Sequence, residues 1–370
     1  MAGAVTAQDV ADLVSSILPE LDRMNWEQIA QDLQDYEMMS HWLTDDKVTF
    51  NDGIAIRKNL LTQLSGAASH TGMTDIDDVD IPDLMDDMIV PWRHAQTKWG
   101  YNYQTDILMN SGKSRINDTV KPRRVSAMID LAQELEAKAW QVPNSSDKLN
   151  PYGLPYWLVY NATTGFNGGY PTGPDAVAHS TIAGINLTES PKFKNYTANY
   201  ATVSKTDLLP KMRTALRKTN FKSPVSKEDM NTKRGNDRRY YCDEVTCSAF
   251  EDVGEGSNEN LGRDLAPYEA GQASSRGRGG VADMDGTLVF KKNPIIYVAQ
   301  LDDTAVFTAA TSPIYQVDHA VFYPVCLKGD YLRETGPTQA PNQHNMWRTF
   351  IDLTYNFLCV NRRKCAVFGK

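Results

Sequence analysis

One segment of this chain cannot be stable on its own. Residues 89–120 read IVPWRHAQTKWGYNYQTDILMNSGKSRINDTV, in which Trp99, Tyr101 and Tyr103 alternate with polar residues before NSGK interrupts the pattern. The alternation predicts a long two-stranded hairpin with a wide tip and no dense apolar face. Because an isolated hairpin is at best marginally stable in water, we expect it to lie on another element or on another subunit.

An amphipathic helix is predicted directly after this segment. Residues 121–141 place apolar side chains at helical spacing, and Pro122 suits a first turn. A second helix is predicted over 206–219, with Thr206 as its cap. Long loops rich in Gly, Pro, Asn and Tyr are expected between them, over 142–200. After residue 237 the sequence predicts mostly strands, interrupted by a Gly/Ser/Arg loop at 254–280. The predicted strands are 239–247, 286–292, 294–301, 314–323, 347–360 and 362–368.

The N-terminal part combines amphipathic helices with an acidic segment. Helices are predicted near 6–18 and 25–43, and each has one apolar stripe that needs a partner. Residues 74–88 contain seven aspartates but lack the Gly and Glu of an EF-hand loop. They predict a solvated acidic loop, with a loose site for a divalent cation or a basic partner as the alternative.

Charge and composition exclude several classes of protein. Lys and Arg number 38 against 46 Asp and Glu, and a net charge of −8 does not fit a protein that mainly coats phosphate backbones. The longest apolar runs, such as 294–301, are far shorter than the ~20 residues of a membrane span. The first residues show no secretory signal, so we expect an intracellular soluble protein without a disulfide framework.

Motifs for catalysis or cofactor binding are incomplete. NSGKS at 110–114 has Ile107 where a P-loop needs glycine, and SSRGRGG at 274–280 lacks the strand–turn–helix context of a dinucleotide site. The six histidines form no metal-binding pair, and no GxSxG elbow occurs. We therefore predict no enzyme activity, cofactor or metal. Two cysteine pairs are predicted to be buried thiols on strands: Cys242 with Cys247, and Cys359 with Cys365.

The order of these elements resembles a known family. Three passages carry the likeness: RINDTVKPRRVSAMIDLAQELEAKAW, then GTLVFKKNPIIYVAQLDD followed by SPIYQVDHAVFYP, and the closing MWRTFIDLTYNFLCVNRRKCAVF. From about residue 85 onward the chain resembles the major capsid protein of tailed bacteriophages, which has the Hong Kong 97-type fold. The likeness is one of element order, length and strand texture and includes no signature motif.

The resemblance implies an α+β fold and a division of the chain. It implies an N-terminal arm and acidic connection (1–84), an extended loop (85–120), a spine helix and peripheral domain (121–200), an axial domain (201–311) and return strands of the peripheral domain (312–370). The implied function is self-assembly, as pentamers and hexamers, into an icosahedral shell that encloses double-stranded DNA without sequence-specific binding. Scaffolding, portal and decoration proteins are implied partners, with a virion location after assembly in the host cytoplasm.

A set of residues is predicted to make contacts between subunits. Trp92, Trp99, Tyr101 and Tyr103 would serve as anchors, because interfaces are enriched in aromatic residues. Basic residues near the hairpin tip and the helix start could meet the acidic residues Asp77, Asp78 and Asp80 of a neighbour; the alternative is simple solvation. These basic residues include Lys113, Arg115, Arg123 and Arg124, with Lys98 and Lys121 beside them.

Two other functions remain open on the sequence. An encapsulin-like nanocompartment would use the same fold around an enzyme cargo, although the acidic insert and the open NSGKS tip do not suggest a cargo groove. A carbohydrate-binding β-protein is the third possibility. Tyr152, Tyr156, Trp157 and Tyr160 could line a sugar groove, and packing inside a domain would explain them equally well.

The charge hypothesis predicts the effect of reversing the acidic segment. Changing Asp77, Asp78 and Asp80 to lysine should impair assembly at low salt, where charge pairs are least screened. Particle yield by electron microscopy is the measurement. Normal shells from the triple variant would contradict the hypothesis.

Overall fold

The computed structural model describes residues 36–44, 47–64, 68, 70, 84–108, 113–221, 237–259, 281–284, 287–302 and 311–370. Its α-helices are α1 (Lys113–Ala139), α2 (Leu154–Trp157), α3 (Leu208–Lys218) and α4 (Glu244–Glu259). Its strands are β1 (Thr49–Asn51), β2 (Ala55–Leu61), β3 (Met85–Pro91), β4 (Arg93–Asn102), β5 (Tyr196–Asn199), β6 (Arg238–Cys242), β7 (Val281–Met284), β8 (Thr287–Phe290), β9 (Asn293–Tyr297), β10 (Ile314–Asp318), β11 (Phe322–Leu327), β12 (Arg333–Ala340), β13 (Gln343–Cys359) and β14 (Ala366–Gly369). Short π-helical or 3₁₀ turns occupy Met38–Trp42, Tyr103–Leu108, Pro191–Phe193, Ala299–Leu301 and Arg362–Lys364.

The first sheet is built around β13. This strand pairs antiparallel with β4 along one edge, and with β12 and then β11 along the other. The short β1 adds to β11 in parallel. Buried Thr349, Ile351 and Leu353 alternate with less buried residues, as expected for a strand that has one face on the core. Seventeen residues of one strand therefore hold the other strands of this sheet in register.

The second sheet has seven strands in the order β5-β14-β10-β6-β9-β8-β7. Every residue of β10 and β14 is buried, and β14 reads as a continuous apolar run. The buried polar residues of β10 are partnered, Gln316 by Thr219 and Asp318 by Arg238. Helix α3 packs on this sheet through Leu208, Leu209 and Met212. It confirms the helix predicted at 206–219, although Asp207 occupies the N-cap position that was predicted for Thr206.

The long helix begins earlier than predicted. It starts at Lys113, and Pro122 lies within it. Because Pro122 has no N–H, it cannot donate a hydrogen bond to the carbonyl of residue 118. The sequence therefore predicted a first-turn position for it, where that bond is not needed. Ala127, Leu131 and Leu135 form the buried stripe that packs against the first sheet and the N-terminal turn.

The prediction of a hairpin across residues 89–120 is wrong. Strand β4 pairs with β13 over Arg93–Asn102, and the predicted return limb is helical from Lys113. The alternation of Trp99 and Tyr101 is that of a single strand in a larger sheet, because both side chains are buried in the core. Among the described residues, a two-stranded antiparallel ribbon is instead formed by β2 and β3, with Ile56 opposite Val90 and Leu61 opposite Met85.

Other predictions are corrected in detail. The strand predicted over 239–247 ends at Cys242, because Asp243 accepts a hydrogen bond from the backbone N–H of Thr246 at 3.2 Å and begins α4. The strand predicted over 314–323 is divided between β10 and β11. Residues 85–88 of the predicted acidic loop belong to strand β3, and 254–259 of the predicted Gly/Ser/Arg loop are helical. The predicted helix at 6–18 lies outside the described residues, as does most of the one at 25–43.

The loops predicted at 142–200 are present over most of that range, but they are interrupted by helix α2 and strand β5. A buried arginine holds this region together. Arg362 is fully buried, and its Nη1 donates to the carbonyl of Phe193 at 3.2 Å. Its Nη2 donates to Asn195 Oδ1 at 2.9 Å, and its Nε donates to the carbonyl of Trp157. One side chain from the C-terminal segment thus supplies the donors that these buried loop acceptors need.

The packing of Trp42 yields a stability prediction. Its side chain is fully buried, so Trp42→Ala should lower the free energy of unfolding by about 3–5 kcal/mol through lost contacts and a cavity. Urea denaturation followed by circular dichroism is the measurement. Phe50→Ala is the control, because Phe50 is half exposed and its loss should cost much less. Equal effects of the two substitutions would contradict the prediction.

Candidate functional site

The candidate functional features of the described residues are those of a protein that binds a partner. No three His, Cys, Asp or Glu side chains among the described residues lie close enough together to hold a metal ion. None of the helices in the described ranges is long and apolar enough to cross a membrane. The features that stand out are an exposed apolar ribbon and a buried polar junction.

The ribbon of β2 and β3 concentrates exposed apolar side chains. Of the eleven large apolar side chains that are exposed in the described residues, five lie on the ribbon or within three residues of it. We call these five the ribbon surface: Ile54, Leu61, Leu64, Met85 and Ile89. Leu61 and Met85 are opposite each other in the register and are 64% and 56% exposed. Exposed apolar side chains concentrated in this way mark an interaction site.

The other face of the ribbon rests on the chain itself. Ile56, Met88 and Val90 are buried against the core. The backbone N–H of Ile89 donates to the carbonyl of Ala183 at 2.9 Å, and Gln63 Nε2 donates to the carbonyl of Glu189 at 2.8 Å. The loop at 182–190 therefore holds the ribbon in place, while its outer face remains in water.

The predicted aromatic anchors lie in different environments. Trp99 and Tyr101 are buried in the core, with ring centroids 6.2 Å apart, so packing within the chain accounts for both. Trp92 is partly buried and donates from Nε1 to the carbonyl of Gly53 at 2.8 Å. Tyr103 is partly buried against the same core. A contact of any of the four with a neighbouring copy stays a prediction.

The predicted basic contacts are partly occupied by acids of the same chain. Arg123 binds both carboxylate oxygens of Asp106, at 2.6 and 3.3 Å, and Arg124 pairs with Glu334 at 3.1 Å. Burial raises the pKa of Asp106, but the hydrogen bonds from Arg123 and from the backbone of Asn102 outweigh it, so this pKa lies below its usual value.

The described residues do not test the remaining charged residues of the hypothesis. Lys113 and Arg115 lie at the start of α1. Asp77, Asp78 and Asp80 lie outside the described residues. Their pairing across copies stays a prediction, with Arg123 and Arg124 already engaged within the chain.

The proposed sugar groove is not open. Tyr152 stacks on Tyr156 with ring centroids 4.0 Å apart, and Trp157 packs edge-on against Tyr156 at 5.4 Å. Tyr156 and Trp157 are buried, and Tyr160 donates to Asn199 at 3.2 Å. These rings fill the core between the loops and the first sheet, so the carbohydrate-binding interpretation is wrong for this cluster.

Trp42 occupies a junction that the sequence did not reveal. Its ring contacts Trp140 at the end of α1, Tyr241 of the second sheet and Phe357 of the first, with centroids 5.1, 6.0 and 5.5 Å away. Its Nε1 donates to the hydroxyl of Tyr241 at 3.0 Å. These residues are far apart along the chain, and no local pattern could have joined them.

Buried ionisable groups surround Trp42. The hydroxyl of Tyr241 donates to Glu37 Oε1 at 3.0 Å and lies 2.7 Å from His319 Nε2. Arg239 Nη1 donates to the same Glu37 oxygen at 2.9 Å, and Lys47 pairs with Asp237 at 2.7 Å. Burial, aided by the positive charge of Lys47, lowers the pKa of His319 to about 3. His319 is therefore neutral at physiological pH.

Only comparisons of structure find similar proteins. No protein-family model matches the chain, and no curated protein matches it. A chain of the cyanophage A-1(L) capsid asymmetric unit is 12% identical, with a TM-score of 0.59, over 93% of this chain and 95% of that one. The capsid of Myoviridae phage XM1 is 9% identical, with a TM-score of 0.51, over 100% and 99%. The chain therefore has the α+β fold of phage capsid proteins, as the resemblance implied.

A third similar structure is an encapsulin. The SrpI encapsulin of Synechococcus elongatus is 12% identical over 95% of this chain and 94% of that one, with a TM-score of 0.45. That score is too low for the likeness to bear on function.

The buried histidine yields a pH prediction. The unfolded chain binds a proton at His319 near pH 6.5, whereas the folded chain resists it until pH 3 or so. The contribution of neutral His319 to the free energy of unfolding is therefore complete above pH 6.5. It should fall by about 1.4 kcal/mol per pH unit as the pH drops below that value. Urea denaturation at pH 7.0, 5.5 and 4.5 measures this loss. His319→Gln should flatten the profile, and an unchanged slope in that variant would contradict the assignment.

Proposed function

We propose that this chain is a major capsid protein that self-assembles, as pentamers and hexamers, into the icosahedral shell of a tailed phage. The observation that carries the proposal is the ribbon surface, five large apolar side chains that a single copy leaves exposed. The likeness to the cyanophage A-1(L) capsid chain supplies the fold on which this surface is presented. Burial of apolar area at about 25 cal/mol per Å² would drive copies together.

The geometry of the ribbon suits repeated contacts between copies. Its inner face is fixed by Ile56, Met88 and Val90, so the outer face is already ordered before a partner arrives. Each copy would lay its ribbon surface on a different patch of the next copy. Such a head-to-tail contact closes into rings when the rotation permits, which is how pentamers and hexamers would form.

The division into domains stays a proposal, with one change. The ribbon of residues 55–61 and 85–91 is a better candidate for the extended loop than the range 85–120. The arm would then end before residue 55, and the acidic connection would join the two strands of the ribbon. The remaining limits are kept as proposed: a spine helix and peripheral domain over 121–200, an axial domain over 201–311 and return strands over 312–370.

The charge of the chain fits a container for DNA. With a net charge of −8, the shell would enclose double-stranded DNA without gripping its phosphates or reading its sequence. We propose no enzymatic role, and a location in the virion capsid after assembly in the host cytoplasm. Scaffolding, portal and decoration proteins are the proposed partners besides other copies of the chain.

Placing charge on the ribbon surface tests the proposal. Leu61→Lys together with Met85→Lys should abolish large particles, because two desolvated ammonium groups would oppose the contact. Native mass by light scattering should be in the megadalton range for the wild type and small for the variant. The control is Val245→Lys, since Val245 is 74% exposed on helix α4, which packs on the second sheet.

Two outcomes would count against the proposal. A wild-type chain that stays monomeric would contradict the proposed shell function. Normal particles from the ribbon variant would contradict the proposed role of the ribbon surface. Circular dichroism must show that the variant is folded. Nucleic acid inside the particles supports a phage capsid, whereas a protein cargo without nucleic acid would favour an encapsulin-like compartment.

A further inference from the structure

Cys242 and Cys247 lie side by side where β6 turns into α4. Cys242 is the last residue of the strand, and Asp243 begins the helix by accepting the backbone N–H groups of Thr246 and Cys247, at 3.2 and 3.0 Å. The first helical turn therefore folds Cys247 back toward the strand end. With Asp243 as the cap, Cys242 precedes the cap and Cys247 lies four residues after it, two positions whose side chains often pack together. Cys247 packs against the buried cluster that contains Cys242, and each thiol shifts the pKa of the other.

The two thiols differ in access to solvent. Cys242 is fully buried, and its Sγ also lies 3.8 Å from the carbonyl oxygen of Ile296. Cys247 is partly exposed on the helix. A small molecule could thus reach the sulfur of Cys247 first, with Cys242 directly behind it.

A second cysteine pair serves as an internal comparison. Cys359 ends β13 and Cys365 precedes β14, and both belong to the same buried cluster, where Cys365 helps to raise the pKa of Cys359. Both are fully buried. In both pairs the two cysteines lie close together. The pairs differ in whether solvent can reach one of the thiols.

We propose that Cys242 and Cys247 are a redox-sensitive pair, which a small-molecule disulfide such as oxidised glutathione converts into a disulfide within the chain. The bond would fasten the first turn of α4 to the end of β6. The inference is independent of the proposed shell function, because it concerns contacts within one copy.

The chemistry balances as two thiol–disulfide exchanges. The hydrogen bond from Cys242 lowers the pKa of Cys247, which favours its thiolate. That thiolate attacks one sulfur of oxidised glutathione, breaks its S–S bond and releases one glutathione thiolate. Cys242 then loses its proton and attacks the sulfur of Cys247, releasing the second glutathione. Two protein thiols are oxidised, one glutathione disulfide is reduced to two thiols, and the two protons go to those thiols.

Mass spectrometry of the full chain tests the proposal. The chain is incubated with oxidised glutathione without denaturant, then unfolded, alkylated and digested. We expect a linked Cys242–Cys247 peptide with a mass loss of about 2 Da, while Cys326, Cys359 and Cys365 are alkylated as thiols. Reduction with dithiothreitol should restore both thiols.

Two variants make the result specific. Cys247→Ser should leave Cys242 fully alkylated, because the reachable thiol is gone. Cys365→Ser is the matched control and should leave the Cys242–Cys247 link unchanged. Stable glutathione on Cys247 with Cys242 alkylated would overturn the proposal, as would a chain that shows no link at any glutathione ratio while circular dichroism confirms that it is folded.

Discussion

The burial of Trp42 is the interaction on which the rest of the structure depends. This one ring contacts the end of α1, strand β6 of the second sheet and strand β13 of the first sheet. Its single polar atom is satisfied by Tyr241, so the core pays no desolvation penalty for the indole N–H. Because the two sheets and the long helix meet at this ring, their relative positions follow from how it packs.

The polar groups around Trp42 restrict the junction further. Glu37 accepts from both Tyr241 and Arg239, and Glu136 accepts from the backbone of Met38 and from Trp140. Each buried carboxylate therefore has at least two donors, which makes its burial tolerable. These bonds tie the segment before β1 to the body, and the ribbon that begins a few residues later is presented from a rigid base.

The ribbon shows how partial burial can serve a function. Two strands cannot be stable alone, and here one face gains stability from the chain while the other retains Leu61, Met85 and Ile89 in water. From the sequence, the need for a supporting partner could be predicted, but it was assigned to residues 89–120. Strands β2 and β3 are separated by more than twenty residues, including the acidic segment, and no local turn signal joins them. The candidate surface was missed for that reason.

By itself the sequence determined the elements whose signal is local. The stripe of α1 from Val125 onward, helix α3 and the buried strand β14 each follow from periodicity or a continuous apolar run. Only the tertiary structure decided which strands pair. It also decided that Trp99 lies in the core while Leu61 is exposed, and that Cys247 lies on a helix beside Cys242. Periodicity reports which face of an element is apolar. It does not report which distant element, or which other copy of the chain, covers that face.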